Sequence, residues 1–212
     1  MRRAFTLIEL LVVIWVLALL AALLFPVIQT ARRKGQEVGC ISNQHQTGVA
    51  LTMYLSDYDS QYPIALDPSE KVFPTYIGAE PEFSQYLASA PYFHDVMHPY
   101  VKSREIFHCP SDTGYQIDDW FLREFPSYPT SFQAHGTSYE YNPALVNYTP
   151  AEAEISLPAQ TPIQYDAASA WHGSVVPLQR KRLVLFADNH VKKADRALIV
   201  DYFSEIEQEF IH

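Results

Sequence analysis

The chain has 212 residues, a formal net charge of −9, 48% apolar residues and 18% charged ones. That length allows about one globular unit behind an apolar leader, and the acidic balance argues against a nucleic-acid partner, whose phosphates call for a basic surface. Fourteen Tyr, 12 Phe and 15 Pro against 7 Gly point to a loop-rich domain packed with aromatic side chains, and no repeat or low-complexity stretch interrupts it.

From Phe5 to Ile28 run 24 residues broken only by Thr6, Glu9 and Pro26. As a helix this stretch spans roughly 36 Å, enough to cross a bilayer. It exceeds the apolar region of a cleavable secretory signal, and no small-x-small site closes it, so it is read as retained. Arg2 and Arg3 before it favour a cytoplasmic N-terminus and an exported C-terminal part, while Arg32, Arg33 and Lys34 after it weaken that asymmetry. Glu9 is the anomaly. Either it lies near the helix end and reaches the headgroups, or it pairs with a cation at the same depth. A cut before Phe5 would create an α-amino group four residues from Glu9, and two staggered rods would then pair amine with carboxylate. Pro26 lacks an N–H and is expected to bend or locally melt the rod.

Beyond Pro26, Val38, Ile41, Gly48, Leu51, Leu55 and Tyr58 recur at helical spacing and predict an amphipathic continuation ending near Asp57. Gly35, Gly39 and Gly48 lie inside it, as close-packing sites or as soft points. Cys40 and Cys109 are compatible with one disulfide or with two thiols, because pairing is not readable from sequence. The segment from Asp67 to Pro91 reads as loop with a short helix. Short strands are expected at Ser138–Tyr141, Pro162–Tyr165, Leu183–Ala187 and His190–Lys192, the last two joined by a type I′ turn at Asp188-Asn189. Asp195 is placed to cap a final helix whose apolar face is Leu198, Ile199, Tyr202, Phe203, Ile206 and Phe210. The aromatic stretches Tyr115–Tyr128 and Tyr139–Tyr148 suit core or subunit packing, with sugar stacking as the other use.

Two constellations have metal-ligand character. His94 and His98 stand at i and i+4, a zinc spacing that lacks a third ligand and a basic Glu, and Pro99 ends any helix there. Asp57 and Asp59, with Ser56 and Ser60, offer oxygens to Ca²⁺, but turn formation at a helix end explains them more simply. No Gly-rich phosphate loop and no nucleophile motif is present.

The stretch Arg2-Arg3-Ala4-Phe5-Thr6-Leu7-Ile8-Glu9-Leu10 resembles the class III signal of type IV pilins and type II secretion pseudopilins. The resemblance implies cleavage before Phe5 by a prepilin peptidase, methylation of the new N-terminus, Glu9 as the acidic fifth mature residue and Pro26 as the helix-kinking proline. Ala4 stands where the family usually has Gly. Cys40-Ile41-Ser42-Asn43, Pro99-Tyr100-Val101-Lys102, Ile106 to Asp112 and Ser138 to Asn142 extend the likeness to prepilin-type proteins with a C-terminal His-x9-Asp-Gly element. Here Asn189 replaces the Gly, and 15 residues separate His172 from Asp188. Asp188 itself reads as a turn former.

The resemblance implies an α+β, pilin-like fold, with a long N-terminal hydrophobic helix packed against a small antiparallel sheet, extended loops and a C-terminal helix. Residues 1–4 would be leader, 5–30 the membrane and filament-core helix, and 31–212 the amphipathic continuation and globular domain. It implies a non-enzymatic filament subunit of a type IV pilus or type II secretion pseudopilus. Its partners would be further copies of the chain, prepilin peptidase, an inner-membrane assembly platform and, before assembly, the lipid bilayer. The precursor would be an inner-membrane single-pass protein, and the filament periplasmic or at the cell surface. No cofactor is expected; calcium, bound by several pseudopilins, would have only the Asp57/Asp59 cluster. The alternative is a membrane-anchored extracytoplasmic binding or enzymatic domain that never polymerises.

Overall fold

The computed structural model describes residues 6–73, 89–118, 123–142, 144–145, 151–172, 181–195 and 197–198. The chain divides into two compact units, Met1–Gln36 and Glu37–His212. Helix α1, Leu7–Asp57, begins in the first and ends in the second.

Leu, Ala and Val dominate the first part of α1, and within that unit none of the described ones is buried. Every large apolar side chain from Leu7 to Ile28 is exposed, Trp15 and Phe25 by 64% and 68%. Pro26 lies inside the helix without ending it, which corrects the expectation of local melting. It withholds one N–H from the ladder, while the Thr30 hydroxyl donates to the Pro26 carbonyl at 2.9 Å, a bond that keeps that carbonyl engaged.

In the second unit α1 buries Cys40, Gln44, Thr47, Gly48, Ala50, Leu51 and Leu55. That stripe has helical period and includes Gly48, Leu51 and Leu55 of the face that hydrophobicity suggests, with Ile41 packed beside it, but the two ends of the suggested face fall outside it. Val38 and Tyr58 are 64% and 53% exposed. Polar Gln44 faces inward because it has partners there: its Nε2 lies 3.3 Å from both Asp166 Oδ1 and the Leu183 carbonyl. The Thr47 hydroxyl is used up on the Asn43 carbonyl of the preceding turn. The helix stops in a Schellman-type ending, with Ser60 N–H donating to the Leu55 carbonyl at 2.8 Å and Asp59 in the left-handed region (φ 51°).

Four antiparallel strands follow in the order β1 (Tyr139–Tyr141), β2 (Pro162–Asp166), β3 (Lys181–Phe186) and β4 (Val191–Asp195). Tyr139 pairs with Asp166, Tyr165 with Val184 and Arg182 with Ala194. By strand alternation Tyr139, Tyr141, Gln164, Asp166, Leu183 and Leu185 share one face, the one to which Gln44 of α1 bonds. The main core lies there: Leu51 and Leu55 of α1 meet Phe93, Met97, Phe107, Tyr141, Leu145 and Leu185. The other face carries Tyr165, Val184, Phe186 and Ala194, with Leu198 against them. On that face Arg182, 1% exposed, donates to Glu140 Oε2 at 3.0 Å and to the Asp166 carbonyl at 2.5 Å.

Short helices connect these parts: α2 (Pro68–Val72), α3 (Phe93–Met97) and α4 (Ser131–His135). Asp67 caps α2 through Oδ1, which accepts from Ser69 N–H and Glu70 N–H. Asp112 ties three segments together. It accepts from Gly114 N–H, from Ser131 and Phe132 N–H at the start of α4, and from the Ser138 hydroxyl just before β1, all at 2.6–3.0 Å.

The β3–β4 connection corrects the expected type I′ turn. Asn189 N–H donates to the Phe186 carbonyl and Phe186 N–H to the His190 carbonyl, and only Asn189 has positive φ, at 67°. This is a three-residue loop, Ala187-Asp188-Asn189, with one left-handed position. Ala187 belongs to the loop, so the left-handed demand falls on a single residue, which Asn tolerates. Asp195 ends β4, and residues 197–198 are helical; the rest of the expected final helix lies outside the described residues.

Candidate functional site

Ala4 and Phe5 lie outside the described residues. Immediately after them Thr6 and Glu9 form a capping box. Glu9 Oε2 accepts from Thr6 N–H at 2.9 Å and from the Thr6 hydroxyl at 2.7 Å, and Glu9 N–H faces Thr6 Oγ1 at 3.3 Å. The signal was present in the sequence as Thr-x-x-Glu before an apolar run, and the reading of Glu9 as a charge in search of a cation passed over it. The carboxylate is thus already held at the head of α1, pointing along the first turn, where the exposed N–H groups favour an anion. Behind it an 18-residue window of α1 has mean hydropathy 3.0 with none of it buried. By length and composition this helix can cross a membrane, and an apolar surface left wholly uncovered in water is unfavourable.

The remaining candidates separate. His94 and His98 fall on consecutive short helices, α3 and the 3-10 turn His98–Tyr100. His94 is buried, stacked on Tyr92 at 5.3 Å between ring centres, whereas His98 is exposed. Burial lowers the His94 pKa, and the Asp95 carboxylate opposes that. Asp57 Oδ2 accepts from the Tyr100 hydroxyl at 2.9 Å, and Asp59 is one of two left-handed residues at the helix ending, with Ser60. Both acids therefore have local structural work at the end of α1.

Cys40 and Cys109 are joined by a disulfide with their Cα atoms 4.7 Å apart, linking α1 to the loop before Asp112. Two groups that sequence reasoning did not connect to them stand alongside. His172 Nε2 lies 3.2 Å from Cys109 Sγ and 3.5 Å from Asp166 Oδ2, with the side chains of His172 and Asp166 1% and 0% exposed. Asp166 Oδ2 also accepts from Leu183 N–H at 2.7 Å. Burial pushes the Asp166 carboxyl up to about 8, against the opposing pull of Leu183 N–H and the Arg182 guanidinium. Among the described residues, Cys40, Cys109 and His172 are the group whose ligand atoms converge, all within 4.8 Å of one another. Only the strand register brings Asp166 to them, and no linear motif carries that.

Residues 1–25 match the family described as the prokaryotic N-terminal methylation motif. No curated protein and no solved structure is measurably similar to the chain. The matched motif is the one that heads type IV pilin- and pseudopilin-like proteins and implies processing by prepilin peptidase. Together with the apolar helix it fits a precursor anchored in the inner membrane.

Proposed function

We propose that this chain is a structural subunit of a type IV pilus-like or type II secretion pseudopilus filament, cleaved before Phe5 and polymerised through the apolar part of α1. The observation that carries this reading is a match to the methylation motif heading a helix whose apolar window has no buried residue. Lipid covers them in the precursor. In a filament, neighbouring copies of the same helix would cover them, stabilised by roughly 25 cal/mol per Å² of apolar surface removed from water. The freed amine of one subunit would then neutralise Glu9 of the next, since an unpaired charge in a dry bundle is heavily penalised. Prepilin peptidase and an inner-membrane assembly platform are the partners this scheme requires, and the chain itself has no catalytic part in it.

The Thr6–Glu9 capping box favours a second reading. It gives Glu9 an intramolecular role that a membrane anchor without polymerisation would need equally. Substitution separates the two. Glu9→Gln keeps a capping-box acceptor and removes the charge; Glu9→Leu removes both. Filament formation predicts that the two variants fail alike in a sheared-surface or pull-down assay of polymer, while the mature N-terminus, read by mass spectrometry, is still a methylated Phe5. A Glu9→Gln chain that polymerises at wild-type yield, or a wild-type chain still carrying Met1, would overturn the filament reading.

A further inference from the structure

The Cys40–Cys109 bond sits beside an imidazole and a carboxylate that a disulfide does not need. Disulfide sulfurs are weak acceptors, and burying ionisable groups against them is unfavourable compared with apolar filling. Yet His172 Nε2 faces both Cys109 Sγ, at 3.2 Å, and Asp166 Oδ2, at 3.5 Å. In a tetrahedral zinc site with bonds of about 2.0–2.1 Å to N and O and 2.3 Å to S, the N···O edge is roughly 3.4 Å and the N···S edge roughly 3.6 Å. Both edges are therefore nearly in place. Two kinds of edge are not in place: S···S, roughly 3.8 Å in such a site, is held shut by the covalent bond, and Asp166 Oδ2 lies outside the set of Cys40, Cys109 and His172 atoms that converge within 4.8 Å, so the carboxylate has to close on the sulfurs as they part. Leu183 N–H and Gln44 Nε2 already orient the Asp166 carboxylate, the kind of outer support that fixes metal ligands.

We infer that Cys40, Cys109, His172 and Asp166 form, once the disulfide is reduced, a buried four-ligand site for a zinc-class divalent cation. The disulfide and the metal are mutually exclusive states of one site, and in either state α1 stays fastened to the loop at Cys109. The opening step needs an external dithiol: its two electrons break the S–S bond, its two protons pass to the sulfurs, and it leaves as its own disulfide. Zn²⁺ then binds without electron transfer. The two thiol protons and the proton held by the buried Asp166 carboxyl go to water, His172 presents the Nε2 lone pair with its proton on Nδ1, and Asp166 binds as carboxylate. This inference is independent of the filament reading.

The test uses the full chain in detergent micelles, reduced with a phosphine that is then removed anaerobically. Cobalt(II) is titrated in and zinc competed against it. Expected are one equivalent of cobalt with tetrahedral ligand-field and thiolate charge-transfer bands, displacement by zinc, and no such bands from the oxidised chain. His172→Gln, verified as folded by circular dichroism in its oxidised state, should weaken binding by at least about 100-fold and Asp166→Ala by at least about 10-fold. If the reduced chain loses its fold, metal must restore the oxidised spectrum. Octahedral cobalt only, wild-type affinity in either variant, or failure of metal to restore a lost fold would each overturn the assignment.

Discussion

A Cβ at position 48 would lie 1.9 Å from Asn189 Oδ1 and 3.1 Å from Leu185 Cδ1. Gly48 thus works as a socket in α1 that receives the β3–β4 loop, while Asn189 supplies both the left-handed backbone and the group that fills the socket. Gly48→Ala should lower stability by about 1–3 kcal/mol through overpacking, although Ala is favoured over Gly in a helix interior by about 1 kcal/mol. Asn189→Gly in the same chain removes the obstructing side chain and keeps the left-handed residue, so the double variant should regain most of the loss in a urea-unfolding cycle. Strict additivity of the two changes would contradict the contact. This pair also marks how far sequence reached at single residues. Asn189 was legible as a turn residue standing where the resembling proteins have Gly. Its lodging against Gly48 was not, because nothing local in the sequence joins positions 141 residues apart.

Among elements, the strands were legible to within two or three residues, the largest miss being the end of β4 at Asp195, since each is a short β-favouring run between breakers. The buried face of α1 was less so. Hydrophobic periodicity put Val38 and Tyr58 on it, whereas the packed stripe runs through Cys40, Gln44 and Thr47, whose partners are known only once the sheet is assembled. The capping box was legible and overlooked. Asp112 belongs to the same class as Gln44: it lies in a stretch that resembles other prepilin-type proteins, but its purpose is apparent only from the N–H groups and the hydroxyl it collects. Removing it strips α4 of the acceptor for its first N–H groups and frees the Ser138 hydroxyl, which itself accepts from Cys109 N–H at 3.0 Å. Asp112→Ala should therefore destabilise the second unit by about 2–3 kcal/mol, read as a lowered midpoint in chemical denaturation. Loss of hydrogen-exchange protection should concentrate in 109–112 and 131–139. A change within experimental error would show that water replaces the carboxylate at no loss.

At the scale of the whole molecule, buried acids set a pH dependence of unusual sign. Burial raises Asp67 to about 6, against the hydrogen bonds from Ser69 and Glu70, with Asp118 adding to the rise. Glu70 is raised as well, by burial first and by Asp67 and Asp118 after it. A carboxyl raised in the folded state holds its proton longer folded than unfolded. Its contribution is complete below the ordinary value near 4 and is lost as pH climbs through about 6. His94 and His135, lowered by burial, act in the opposite sense and lose stability as pH falls below the ordinary histidine value. The Asp67 component is isolated by difference. Asp67→Asn retains a helix-capping oxygen, and its stability relative to wild type should improve between pH 4 and pH 7, by on the order of 3 kcal/mol. Parallel pH profiles for the two proteins would refute the ionisation of Asp67. The closed Cys40–Cys109 loop, spanning 69 residues, adds roughly 4 kcal/mol by chain entropy at every pH.

The position of that bridge has a mechanical consequence. Tension applied along the apolar segment enters the second unit at Glu37 and meets Cys40 within one helical turn. From there the load divides: part continues up the helix, and part crosses through sulfur to the chain just ahead of Asp112. A tug on the tail cannot peel α1 away from its anchoring end, and must instead drag the helix and the Cys109 loop together.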